Sequence, residues 1–368
     1  MLKSKKFWCY EICEKYDLTE EMFQNYKKKG KFYEDGLYFY DQIGIGAHPA
    51  IKATQGNTPT VISFQNVLVD INTIKILYYL LPSSKVTSLR FSSNKFNLTN
   101  LEFMIDCLFT KENSINTIIY EWNDKIVIDD KDYSISDLKS IVDEKILNDI
   151  KKSQELILSF ITREPSKLEA LCLRGDLIGD EMAIKIFEEL KNPNNNIKIL
   201  NLFRNNLTNE CIKVFCEMIE INNKLEDINF GRNHLTDESL DLIKENYGIF
   251  LMTQEEVEEY GKLAKERQDI INKNMKLKAS KKPELEVPHL DEMKEIDGKH
   301  FRVKNGTLKK INFIQNNFTQ NSFDNFKIIL DANQDLCLAI DYKIFNEEQI
   351  NIFTDSNLNY YNRVYLSK

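Results

Sequence analysis

The chain lacks the features that would indicate catalysis, metal binding or a membrane segment. Only four of its 368 residues are histidine, and none has a serine, cysteine or acidic partner at a motif spacing. No phosphate-binding loop is present, because Gly44 and Gly46 lack the following lysine and helix pattern. The longest strongly apolar run, residues 76–81, is far shorter than the roughly 20 residues that a bilayer requires. The sequence therefore predicts a non-enzymatic protein with no cofactor, no metal and no membrane contact.

The sequence also lacks an even set of cysteines that could pair in disulfides, and it has no excess of basic residues. The seven cysteines are an odd number scattered along the chain, which argues against a disulfide framework. The N-terminal segment has no apolar stretch of the kind that a signal peptide carries, because Glu11, Glu14 and Lys15 interrupt it. The net charge of -8 argues against a nucleic-acid partner. We therefore expect a cytosolic protein with free thiols.

A repeat of about 28 residues is the dominant positive feature of the sequence. Its template is apolar-x-x-apolar-x-apolar-x-x-Asn-x-apolar, and one copy begins at Leu168 and continues through Leu171, Leu173, Asp176 and Ile178. Further copies begin at Val86, Ile115, Ile197, Leu225 and Leu308, and residues 57–81 resemble a degenerate first copy. This is the leucine-rich-repeat pattern, in which a short strand with inward apolar side chains is followed by a bend and a helix.

The length of each unit predicts an α/β leucine-rich-repeat solenoid, a horseshoe of the ribonuclease-inhibitor-like kind. Single units cannot bury their apolar faces, so that stacking of units has to form the core. The asparagines at the ninth template position are expected to form a buried ladder that satisfies backbone groups of neighbouring turns. Its predicted members are Asn94, Asn123, Asp176, Asn205, Asn233 and Asn316.

The repeat pattern also predicts the domain organisation. Residues 1–56 form a helical N-terminal cap or, alternatively, a docking segment whose aromatics anchor on a partner. Repeats fill residues 57–245, with a helical insertion near 126–166, and residues 307–368 hold the final repeats and a C-terminal cap. Between them, residues 246–306 form a charged helix and linker that interrupt the array.

The 246–306 interruption is acidic first and basic later. It is either a solvated helix with a linker or a helix that projects from the solenoid to bind a partner, such as the acidic tails of tubulin. We take Lys278, Lys281 and Lys282 as its candidate binding residues.

A second candidate surface follows the strands. In the repeat alignment, Arg174, Arg204 and Arg232 come close together on successive turns, beside Phe203 and Ile314. Arginine and aromatic side chains are enriched at interface centres. This predicts a short basic stripe that contacts an acidic protein partner, although solvated arginines are the simpler interpretation.

The order of the units resembles a particular leucine-rich-repeat family. SKLEALCLRGDLIGDE, IKILNLFRNNLTNE and LEDINFGRNHLTDE are similar to the central repeats of the cilium-associated leucine-rich repeat-containing protein 71 family, and a lysine-rich interruption follows at the same place. The resemblance implies a structural component of the motile-cilium axoneme, within the cytoskeleton, that binds other axonemal proteins. Two alternatives remain from the repeat class, which are a regulator of a small GTPase and a substrate receptor of a ubiquitin ligase.

Overall fold

The structure is a computed structural model, and it describes residues 18–94, 98–110, 112–123, 143–163, 167–280, 282–288, 290, 292–296, 298–304 and 307–367. The strands of the described residues are β1 Val61–Gln65, β2 Ser88–Ser92, β3 Thr117–Glu121, β4 Ala170–Cys172, β5 Ile199–Asn201, β6 Asp227–Asn229, β7 Gly248–Leu251, β8 Glu292–Ile296, β9 Lys299–Lys304, β10 Lys310–Asn312, β11 Cys337–Asp341 and β12 Val364–Ser367. The helices are α1 Glu20–Asn25, α2 Phe32–Gln42, α3 Pro49–Lys52, α4 Ile71–Leu80, α5 Leu98–Thr110, α6 Glu144–Thr162, α7 Asp180–Leu190, α8 Ile212–Ile221, α9 Asp237–Asn246, α10 Gln254–Ala279, α11 Phe323–Ala332 and α12 Glu347–Thr354.

Nine strands form one parallel sheet in the order β1-β2-β3-β4-β5-β6-β10-β11-β12. The apolar template positions are in register across it. One row of buried side chains contains Ile62, Leu89, Ile118, Leu171, Leu200, Ile228, Ile311 and Leu338. Because neighbouring strands come from successive units, the chain is an α/β repeat protein with a solenoid-like stack, as the sequence predicts.

Aromatic side chains fill the layer between the sheet and the helices. The rings of Phe64 and Phe91 stack at 5.1 Å between centroids, and those of Phe230 and Phe313 stack at 6.2 Å. Helix α8 adds Phe215, whose ring meets that of Phe230 edge-on at 5.0 Å. All five side chains are fully buried, so they supply much of the apolar area that stabilises the stack.

The predicted asparagine ladder is confirmed. The Asn205 side chain accepts a hydrogen bond from the Asp176 N–H at 3.1 Å and donates to the Leu173 carbonyl at 2.8 Å. Asp176 in turn accepts from the Asn123 N–H at 2.8 Å, and Asn123 accepts from the Asn94 N–H at 2.8 Å. The ladder therefore connects each bend to the next one and satisfies buried backbone groups that water cannot reach.

The described part of the N-terminal segment packs on the first unit. Phe39 and Tyr40 of α2 are fully buried, and the Tyr40 hydroxyl hydrogen-bonds the Thr73 hydroxyl of α4 at 2.8 Å. Asp35, also buried, accepts hydrogen bonds from the Tyr26 hydroxyl at 2.7 Å and from the Lys29 N–H at 2.8 Å. Most aromatics of this segment thus cover the apolar end of the array, while Tyr38 remains 37% exposed.

The insertion near 126–166 contributes α6, which packs between α5 and α7 in the helix layer. Its first part, residues 124–142, lies outside the described residues. Helix α6 takes the position of the helix that follows β3, and β3 pairs directly with β4. Among its described residues, the insertion therefore contributes a helix to this unit and no strand between β3 and β4.

The prediction of a helix and a linker for residues 246–306 needs a correction. The charged helix is present as α10, but the segment also forms a three-stranded antiparallel sheet in the order β7-β9-β8. This sheet escaped prediction because its strands are short and because β7 pairs with β9, which lies beyond the whole of α10 in the sequence. We call β7, α10, β8 and β9 together the arm. The main array continues across it, because β6 pairs with β10 and Asp237 accepts from the Thr319 N–H at 2.9 Å.

Candidate interaction surface

A left-handed backbone residue follows each of seven strands at the same position of the turn. These residues are Asn66, Ser93, Trp122, Gly175, Arg204, Arg232 and Gln315, with φ between 53° and 71°. Such a conformation costs a residue other than glycine on the order of 1 kcal/mol. The repeated turn offsets this cost through backbone hydrogen bonds between neighbouring turns, such as Arg204 N–H to the Gly231 carbonyl at 2.8 Å.

Two arginines and two aromatic residues stack on each other along this row of turns. The Arg174 guanidinium lies 5.2 Å from the Trp122 ring and 4.7 Å from the Phe203 ring. The Arg204 guanidinium lies 4.7 Å from the Trp122 ring. We call Trp122, Arg174, Phe203 and Arg204 the Arg/aromatic cluster. Cation–π contacts of this kind hold the long arginine side chains in place, which lowers the entropy lost when a partner binds them.

Two glycines make room for the aromatic rings of the cluster. A Cβ atom at Gly175 would lie 2.2 Å from a Trp122 ring carbon, and a Cβ atom at Gly231 would lie 2.8 Å from a Phe203 ring carbon. Each ring therefore lies directly against the backbone of the next turn. The position of both rings depends on the absence of a side chain on the neighbouring unit.

The structure places the predicted stripe residues at two adjacent positions of the turn. Arg204 and Arg232 occupy the left-handed position on neighbouring turns, whereas Arg174 occupies the preceding position, in line with Phe203 and Ile314. Arg174 and Arg232 are exposed, whereas Phe203, Arg204 and Ile314 are half-buried. The three arginines thus lie on three successive turns, but Arg174 is offset by one residue.

The predicted lysines lie on the arm, in a different part of the molecule from the cluster. Lys278 is exposed on the last turn of α10, and Lys282 is exposed just beyond it. Lys281 lies outside the described residues. Lys278 and Lys282 therefore belong to a different element from the arginine stripe, which follows the strands of the main sheet.

Sequence reasoning missed Trp122, Gly175 and Gly231. A signal for Trp122 was available, because it precedes the ladder residue Asn123 as Arg204 precedes Asn205. The glycines gave no such signal, because their role depends on rings that come from other units.

The ionisable groups near the cluster are shielded from water or paired with neighbours. Burial raises the pKa of the Cys172 thiol to about 12, so it is not a thiolate nucleophile near neutral pH. The Glu121 carboxylate, 4% exposed, pairs with Arg90 and accepts from the Ser92 hydroxyl at 2.6 Å. Elsewhere His48, whose pKa is lowered by burial, caps α3 by accepting from the Ala50 N–H at 3.1 Å.

Within the described ranges, no group of three or more His, Cys, Asp or Glu side chains is arranged to hold a metal ion. None of the helices found there combines the length and the apolar character needed to cross a membrane.

Comparison with known proteins identifies no family. No protein-family model matches the chain, and no curated protein matches it either. A solved structure with some similarity is the crystal structure of the Rad7 and Elc1 complex in yeast, with a TM-score of 0.32 and 12% identity. That match covers 79% of this chain and 71% of the other. A similarity this low carries no inference about function.

Proposed function

We propose that the chain is a non-enzymatic scaffold that binds other proteins through the Arg/aromatic cluster and the adjacent Arg232. The observation that carries this proposal is the stacking of two arginines with Trp122 and Phe203 on the turns that follow three neighbouring strands of the sheet. Tryptophan and arginine are the residue types that dominate interface energetics when they are held rigidly. On a chain of net charge -8, a local group of three arginines favours a partner surface that is acidic.

Affinity purification with matched variants tests this proposal. The test variant is Arg174→Glu with Arg204→Glu, and the control is Lys151→Glu with Lys152→Glu on the exposed side of α6, which changes the net charge equally. Proteins retained by the natural chain and by the control should be depleted at least about tenfold with the test variant, because each hot-spot residue contributes about 2 kcal/mol or more. Retention of the same proteins by the folded test variant would overturn the proposal.

The finer proposal concerns the shape of the array, which rests on the length of the repeat units, and the place of the chain in the cell, which rests on the sequence resemblance alone. We infer a curved, ribonuclease-inhibitor-like array in the cytoskeleton of motile cilia, where the chain binds other axonemal proteins. Tubulin is a candidate partner for the lysines of the arm. The salt-resistant axoneme of fractionated cilia should then contain the chain. Its recovery only with detergent-soluble membrane and matrix would refute the ciliary role, and copurification with a cullin complex would replace it with a substrate-receptor role.

A further inference from the structure

Helix α10 differs from the other helices because it is a long helix with little covering. It has 26 residues, and only Asn274 among them is buried. A capping box starts the helix, in which the Thr253 N–H donates to the Glu256 carboxylate at 2.7 Å and the Glu256 N–H donates to the Thr253 hydroxyl at 3.3 Å. By contrast, α7 and α8 bury five side chains each, so the function of α10 is not to complete the core.

The chain that follows α10 returns along the helix and is hydrogen-bonded to it. The Asn274 side chain donates to the Leu285 carbonyl and accepts from the Leu285 N–H, both at 2.7 Å. Closer to the middle, Arg267 Nε donates to the Pro288 carbonyl at 3.1 Å. These contacts pin the return segment to one side of the helix, so the exposed sides of α10 form a preorganised surface.

The charges on that surface separate along the helix. The first half of α10 carries five glutamates and two lysines. From Arg267 onward, the sequence to residue 282 carries one aspartate, one arginine and five lysines. The exposed acidic members include Glu255, Glu258 and Glu259, and the exposed basic members include Lys273, Lys276 and Lys278. Lys278 also pairs with Glu284 at 4.0 Å.

Apolar side chains remain exposed beside these charges. Leu263 is 45% exposed and Met275 is 60% exposed, and Leu285 of the return segment is 50% exposed. Leu263, Ile270 and Leu277 recur every seven residues and share one side of the helix with Arg267 and Asn274, so the return segment partly covers Ile270 and Leu277. Leu263 and Met275 are the apolar side chains of the helix that remain exposed to a partner.

We propose that α10 is a self-association surface on which two copies of this chain pair in antiparallel orientation. A helix of 26 residues is about 39 Å long. In the antiparallel arrangement the acidic half of each helix meets the basic half of its partner, and the two repeat arrays lie at opposite ends of the pair. A parallel arrangement would place like charges together and bring the two arrays side by side.

Charge complementarity favours a second copy over an acidic tail such as that of tubulin. An acidic tail would complement only the basic half of α10 and would leave the glutamate-rich half facing like charge. A second copy complements both halves at once and also covers the apolar side chains. This proposal is independent of the Arg/aromatic cluster, so its failure would leave the proposed binding function intact.

A charge-swap experiment on the full chain tests the pairing. One variant carries Lys273→Glu, Lys276→Glu and Lys278→Glu, and the second carries Glu255→Lys, Glu258→Lys and Glu259→Lys. A third variant carries all six changes and so has the net charge of the natural chain. Lys145→Glu with Lys151→Glu and Lys152→Glu on α6 is the matched control. Sedimentation velocity across a concentration series measures association, and circular dichroism checks that each variant is folded.

The natural chain and the control should dimerise alike. Each triple variant should associate on the order of a hundredfold more weakly by itself, because six favourable charge pairs per dimer become unfavourable. An equimolar mixture of the two triple variants should dimerise, and so should the sixfold variant. The proposal is overturned if the natural chain stays monomeric at about 100 µM, the range in which weak pairs still form. It is equally overturned if either triple variant dimerises as the natural chain does, or if the mixture does not associate.

Discussion

Replacing the ladder residue Asn233 with alanine should destabilise the fold by about 3 kcal/mol, a value that follows from its hydrogen bonds. Asn233 is 4% exposed. Its side-chain oxygen accepts from the Leu207 N–H at 3.1 Å. Its amide donates to the carbonyls of Leu202 at 3.0 Å, Phe230 at 2.9 Å and Gly231 at 3.2 Å. Alanine removes all four bonds in a place that water cannot reach.

The four lost bonds are not equal in cost. Each of the three carbonyls keeps a second donor, whereas the Leu207 N–H has no other acceptor among the described residues. The Leu202 carbonyl keeps the Asn205 side chain as a donor, the Phe230 carbonyl keeps the Asn316 side chain, and the Gly231 carbonyl keeps the Arg204 backbone N–H. Leaving one buried N–H without an acceptor costs about 1–3 kcal/mol, and the weakened carbonyl bonds and the small void add about 1 kcal/mol.

The chain provides a matched comparison for this substitution. Asn316 holds the same position in its unit and accepts from the Leu235 N–H at 3.1 Å, but it is only half-buried. Asn316→Ala should therefore cost only about 1 kcal/mol, because water can replace the lost acceptor. Asn223→Ala, at an exposed position, should change stability by less than about 0.5 kcal/mol.

Urea unfolding followed by circular dichroism measures these differences. The midpoint for Asn233→Ala should fall well below that for Asn316→Ala, and the midpoint for Asn223→Ala should match the natural chain. Equal losses at Asn233 and Asn316 would show that burial does not set the cost of the ladder bonds. If Asn233→Ala lowers the free energy of unfolding by less than about 1 kcal/mol, the Leu207 N–H left without an acceptor is not the main cost of the substitution.

Three further predictions concern other parts of the structure. Gly175→Ala should cost at least about 2 kcal/mol in urea unfolding, because its φ of +71° is strained for alanine and its Cβ would meet the neighbouring indole. Gly30→Ala, with φ of +74° and nothing within 4 Å of its Cβ, should cost only about 1 kcal/mol. If Gly30→Ala and Gly175→Ala cost the same, the Trp122 indole does not pack against Gly175. Arg363→Lys should lower stability by about 2 kcal/mol, because the guanidinium donates to three partly buried carbonyls at 2.5, 2.6 and 3.1 Å whereas an ammonium cannot span them. An unchanged thermal midpoint would refute this prediction. Burial raises the pKa of Cys172 and Cys216 to about 12, so at pH 8 only about one thiol in 10⁴ is ionised and both should react with a thiol reagent only after unfolding. Since an unfolded thiol titrates near pH 8.5, the stability contributed by these two groups should be complete below that pH and be lost as the pH rises toward 12. A free energy of unfolding that does not fall over this pH range would contradict burial as the cause of the raised pKa values.

The sequence by itself determined where the repeat units lie and which strand, bend and helix each unit contains. The spacing of apolar residues around Leu171, Leu200 and Ile228 predicts the strands and their inward faces, and the ladder asparagines follow at a fixed distance. These features could be predicted because each is local and recurs in every unit. The helical character of α10 could be predicted for the same reason, from its length and its charges.

Only the tertiary structure decided the features that depend on contacts between units. It showed that β6 pairs with β10 across the whole arm, and that β7 joins the β8–β9 hairpin in a second sheet. It also showed that Trp122 lies on Gly175 and between two arginines, an arrangement that no single unit contains. Such contacts arise from the offset between neighbouring turns, and this offset is set by packing over the full stack rather than by any local pattern.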